Sequence, residues 1–140
     1  MVNIFKKFQF TIKNLSDGWA TIQLQFDDVT FEWDIADSPV DSFKLLVESL
    51  DKLNTGEINK AIVTWILEPL ELEFELKKTA NDLKFEIIKS DVGMIGEFIG
   101  SFDVVYNSIT DEINSATTKF DTGYPNWSWP FPELEKETKK

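Results

Sequence analysis

The chain contains no cysteine, no histidine and no arginine; all fourteen basic residues are lysine. Without cysteine there is no disulfide, no thiolate nucleophile and no thiolate-bound metal. Without histidine there is no imidazole ligand and no side chain that ordinarily titrates near neutrality. Without arginine there is no planar fork to grip phosphate or carboxylate. Long apolar runs are missing too. The longest, Ile62 to Leu67, is far short of a membrane span. The first thirteen residues carry Lys6, Lys7 and Lys13 among alternating apolar positions, unlike the continuous apolar stretch of a signal peptide. These absences lead us to expect a water-soluble protein of the bacterial cytoplasm.

Acidic residues number 25 against the 14 lysines, a net charge of −11. Such a surface repels nucleic acid and anionic membrane and attracts basic partners; solubility alone also accounts for it. The 140 residues suit a single domain, 1–140, with 131–140 fraying as a tail. Hydrophobic residues make up 42%, and twelve Phe and five Trp predict an aromatic-rich core.

Period-two alternation marks the strands. Phe8, Phe10 and Ile12 alternate with polar residues, as do Ile22, Leu24 and Phe26, and then Val29, Phe31, Trp33 and Ile35. A two-residue turn at Asp27-Asp28 keeps all of them on one face, pairing Phe26 with Val29 and Ile22 with Trp33. The Asn14–Gly18 connection sets Phe10 opposite Ile22. A helix follows, with Ser38 as N-cap, Pro39 in the first position and Asp41 three after the cap. Phe43, Leu46, Val47, Leu50 and Leu53 form its buried stripe, and Asn54-Thr55-Gly56 ends it.

In the second half, Ile62–Leu67 reads as a central strand, apolar on both faces, and Pro69 breaks it. Leu70, Leu72, Phe74 and Leu76 alternate with Glu71, Glu73, Glu75 and Lys77, and Leu83, Phe85 and Ile87 form the next strand. Between them a four-residue loop, Lys78–Asn81, is preferred to a two-residue one, because it sets Glu75 opposite Lys84 rather than Glu86. Met94–Ile99 is a further strand, with Gly93, Gly96 and Gly100 marking bulges. Ser101 caps a second helix carrying Phe102, Val105, Ile109 and Ile113. Phe131 opens a short last helix. The expected fold is α+β: a bent antiparallel sheet of about six to seven strands with two main helices on one face and a short C-terminal helix.

Ser16-Asp17-Gly18-Trp19-Ala20, the 37–56 helix, Trp65-Ile66-Leu67-Glu68-Pro69 before a hairpin, and Tyr124, Trp127, Trp129, Pro130-Phe131-Pro132 and Leu134 occur in that order. Together they resemble a family of small, uncharacterised bacterial α+β proteins. The resemblance implies a bent antiparallel sheet with helices on one face and transfers no activity or site residue. Members tend to carry Arg on exposed strand faces, where this chain has Lys.

Candidate sites are few. The Glu71, Glu73, Glu75 row suits a basic partner or paired carboxylates of a glycosidase-like centre; a solvated sheet face is preferred, because the strict alternation already explains the row. Asp27-Asp28 and Asp34/Asp37 suit a hard cation in type but lack calcium-loop spacing; turn chemistry and capping explain them better. Trp127 and Trp129, with Phe131, form either an exposed peptide-binding motif or a clasp over the core, the clasp being preferred. No catalytic residue, cofactor or metal is expected. The reading is a non-enzymatic module that binds another protein, possibly a basic one, through Glu71, Glu73, Glu75, Trp127 and Trp129. Its sharpest form is an immunity-type inhibitor of a basic bacterial toxin. The alternatives are an assembly protein forming a homodimer and a carboxylate-dependent hydrolase.

Overall fold

Alternation sorts the strand residues to two faces, and the inner face closes on itself. The computed structural model describes residues 2–16, 19–36 and 39–119. The strands are β1 (Asn3–Ile4), β2 (Phe8–Ser16), β3 (Trp19–Phe26), β4 (Val29–Ala36), β5 (Lys60–Ile66), β6 (Glu71–Thr79), β7 (Asp82–Lys89) and β8 (Gly93–Ser101). The helices are α1 (Pro39–Thr55) and α2 (Phe102–Lys119). The strands form one eight-stranded sheet in the order β1-β8-β7-β6-β5-β4-β3-β2.

The class is α+β, but the sheet is mixed and has more strands than the six to seven expected. β1 is the addition, and it runs parallel to β8. Two residues are too short for periodicity to reveal a strand. What holds β1 is the next residue: Phe5 is 4% exposed and its N–H donates to the Ile99 carbonyl at 3.0 Å. Gly100 makes room for that ring, since a Cβ there would stand 2.5 Å from it. Gly100 thus serves a close approach rather than a bulge. Gly96 does flank a bulge, where the β7–β8 register shifts between Ile87 and Ile88.

Among the described residues β4 and β5 share the one pair Ala36–Ile66. Beyond it the halves diverge and fold face to face. Phe26 of β3 stacks on Phe98 of β8 with centroids 3.9 Å apart and planes 2° from parallel. Phe8 meets Phe85 at 6.0 Å and Trp33 meets Phe74 at 6.1 Å. Residues 5–7 join β1 at one end of the strand order to β2 at the other. The Asp27 carboxylate fastens this corner by accepting the N–H groups of Lys6 (3.1 Å) and Lys7 (2.9 Å), while its own N–H donates to the Lys7 carbonyl.

Both helices bury their stripes in the same core cluster. They also supply partners that missing strands would have provided. On α1, Ser42 donates to the Thr64 carbonyl of β5 at 2.9 Å. On α2, Ser108 and Glu112 accept the N–H groups of Phe10 and Ile12 on β2 at 2.9 and 2.7 Å. Gly56, at φ +81°, ends α1, and the Ser101 hydroxyl accepts the Val104 N–H at the start of α2.

Three further expectations need correction. The β6–β7 turn has two residues, Ala80-Asn81, so Glu75 faces Glu86 and Lys77 faces Lys84. β8 supplies the reason: Lys84 reaches across to Glu97 at 3.0 Å, and Lys60 of β5 meets Glu75 at 3.7 Å. Like charges opposite each other are compensated by the outer strands. Phe10 faces Leu24 rather than Ile22, because β2 and β3 pair up to Ser16–Trp19 and a bulge between Ile12 and Asn14 takes up a residue. β5 buries one face only, leaving Ile62 exposed. Ser38, the short C-terminal helix, Trp127 and Trp129 lie outside the described residues.

Gly100→Ala drives a methyl into the Phe5 ring and is expected to cost about 1–3 kcal/mol in urea unfolding. Combined with Phe5→Leu, the change costs less than the sum of the single variants. Tyr106 of α2 donates to Asp51 of α1 at 2.7 Å. Burial, then this bond to a carboxylate, pushes the phenol up from 10.0 to about 12. Folding favours its neutral form, so this stabilisation is complete below pH 10 and is lost as pH rises through about 12. An absorbance titration compared with Tyr106→Phe checks the late ionisation.

Candidate functional site

Register decides which polar side chains meet on the outer face of the β5–β8 half. Antiparallel pairing aligns Ile62, Glu75, Glu86 and Glu97 in one cross-strand row. The neighbouring row holds Lys60, Lys77, Lys84 and Ile99. On the other side lie Thr64, Glu73, Ile88 and Met94, and then Ile66 and Glu71. Leu72, Phe74 and Leu76, which alternate with the glutamates, are fully buried. The structure therefore puts Glu71, Glu73 and Glu75 on a single face, as the alternation requires.

The three glutamates are not equivalent. Glu75 is tied to Lys60. Lys84 lies among carboxylates, and its pKa is raised chiefly by the hydrogen bond to Glu97, with the charges of Glu86 and Glu97 adding to it. Among the described residues Glu71 and Glu73 have no ion pair. The row of Glu73 continues through half-buried Ile88 to Met94, 50% exposed, and Val92, in the β7–β8 turn at the same end, is 66% exposed. Sequence reading noticed the glutamates but not Met94 or Val92, because only the β7–β8 pairing brings them to the same end of the face. The other two predicted partner residues, Trp127 and Trp129, lie outside the described residues.

The remaining acidic candidates divide by use. Asp27 spends its carboxylate on backbone N–H groups, and Asp34 accepts from Thr21 at 2.7 Å. Among the described residues no cluster of three or more acidic side chains is placed to hold a metal ion, and no helix is long and apolar enough to cross a membrane. A Ser-x-x-Lys spacing at Ser49 and Lys52 of α1 escaped the sequence reading. Ser49 is 7% exposed, and the Lys52 ammonium lies 3.9 Å from Glu57. No hydrogen bond joins Ser49 to Lys52 as the paired nucleophile and base of such a motif would require.

No family model, curated protein or solved structure matches the chain.

The face thus offers two unpaired carboxylates beside an exposed apolar strip, bounded by a charge-compensated Glu/Lys lattice. Such a surface can take up a partner with a basic rim and an apolar centre. Lys84→Met should leave Glu86 and Glu97 uncompensated, while Glu75 keeps Lys60. It is expected to lower the urea midpoint at neutral pH, and to do so less in about 1 M salt, where surface charges are screened within about 3 Å. Because the Lys84 pKa is raised, its contribution is complete below 10.5 and lost as pH rises through the higher folded value.

Proposed function

We propose that this protein is a non-enzymatic module that binds another, basic protein, and in its sharpest form inhibits a basic bacterial toxin as an immunity-type partner. The observation that carries the reading is the pair of unpaired carboxylates, Glu71 and Glu73, beside exposed Met94 and Val92 on a chain with eleven excess negative charges. Long-range attraction brings a basic partner in quickly, and the apolar strip retains it once the surfaces meet.

A second reading, assembly as a homodimer, draws on a different feature. β1 pairs with β8 only at Phe98 and Ile99. The rest of that edge has no strand neighbour among the described residues, and Ile4 is 79% exposed. An open edge can pair with a second copy.

One set of measurements separates the two. The product of a neighbouring toxin gene should be retained by the protein at about 50 mM salt, be released as salt screens the contact, and be lost with Glu71→Lys/Glu73→Lys. A neighbourhood encoding no toxin, with no basic protein retained at low salt, rejects the inhibitor reading. Sedimentation at several concentrations tests the homodimer, and a strict monomer rejects it.

A further inference from the structure

The outer face of the other half, β2–β3–β4, has a different chemistry. Its cross-strand rows include Thr11–Gln23–Glu32 and Asn14–Thr21–Asp34, ending beside Trp19. Amides and hydroxyls dominate, and the charge of Glu32 is matched by Lys13 at 2.6 Å. In a chain so acidic, a nearly neutral, hydrogen-bonding sheet face is a departure from the general surface. Trp19 stands at its end, 48% exposed. An indole left in water gives up a large apolar area. Beside it Asn14, Ala20, Thr21 and Asp34 line an open depression of about 270 Å³.

The hydrogen bonds within the depression leave a defined set of free groups. The Thr21 hydroxyl donates to one Asp34 oxygen at 2.7 Å, and the Asn14 amide donates to Thr21 at 3.4 Å. Thr21 is thereby held in place between its neighbours. The second Asp34 oxygen, the Asn14 carbonyl oxygen and the other Asn14 N–H remain without partners among the described residues. Two acceptors and a donor, fixed on rigid strands beside a flat aromatic surface, match vicinal hydroxyls on a ring with an apolar face. A pyranose has those features: its C–H face covers an indole, while neighbouring hydroxyls donate to a carboxylate and accept from an amide. The volume falls just below the roughly 300 Å³ at which ligand clefts begin, so the depression suits one ring rather than a large cofactor. A quaternary ammonium ion is a poorer fit, because it calls for a cage of several aromatic faces and one ring is offered here.

We propose that the Trp19–Asn14–Asp34 depression is a binding site for one ring of a neutral saccharide. It lies on the opposite half of the sheet from the Glu71–Glu73 surface and does not depend on that reading.

Isotope-labelled protein, with the Trp19 indole N–H resonance assigned by its loss in Trp19→Phe, can be titrated with cellohexaose, maltohexaose and N-acetylchitohexaose. At least one should shift the Trp19 indole and Asn14 side-chain amide resonances together, with a Kd of about 1 mM or tighter. Asn14→Ala should weaken the response about tenfold or more while leaving the rest of the spectrum unchanged. Trp19→Ala, followed through the Thr21 amide, should abolish it. The proposal is overturned if none of the three sugars moves these resonances at about ten times that concentration. It is also overturned if the shifts survive both substitutions, or if tetramethylammonium produces them and the sugars do not.

Discussion

Among the described residues one bridge, Ala36–Ile66, joins β4 to β5, and the architecture turns on it. An eight-stranded sheet paired along its full width would be a broad, twisted plate needing cover on its inner face. With the ladder reduced to one pair in the middle, the two halves swing toward each other and each covers part of the other. Aromatic rings fill the space: Phe26 lies flat on Phe98, Phe31 meets Phe98 edge-on at 6.0 Å, and Trp33 reaches Phe74. The helices occupy what remains, α1 along β5 and α2 along β2. The aromatic content that stands out in the composition is thus what a folded-over sheet needs: side chains large enough to span from one half to the other.

Much of this order was legible in the sequence, for identifiable reasons. Alternation and helical spacing are local, so the strands from Phe8 onward, both helices and the Asp27-Asp28 hairpin register follow from neighbouring residues. What failed depended on distant chain. β1 exists because Phe5 fits the space over Gly100, about ninety-five positions away. The β6–β7 turn departs from the expected four residues because Lys84 is satisfied by Glu97 on a third strand rather than across the hairpin. A cross-strand rule applied to an isolated hairpin omits the neighbours that decide the outcome.

The same distinction governs the surfaces. A run such as Glu71, Glu73, Glu75 is visible because its members are two apart. The unequal roles of its members are not, since Lys60 comes from β5. Met94 reads in the sequence as the start of a glycine-rich strand and Val92 lies before it; both become surface features only once β8 pairs with β7. In the sequence Trp19 stands out only as part of the Ser16–Ala20 motif. Its setting, with Asn14 from β2 and Asp34 from β4 on either side of Thr21, requires three strands in register.

Filling outward-facing ladder positions with helix side chains has a consequence for growth. The Phe10 and Ile12 amides of β2 are held by Ser108 and Glu112, and the Thr64 carbonyl of β5 by Ser42. Those groups have nothing left to template a foreign strand. The β8 border, shortened by β1, has no helix side chain playing that part among the described residues. The helices therefore do more than shelter the rings: they occupy backbone groups on β2 and β5 that a foreign strand would otherwise pair with.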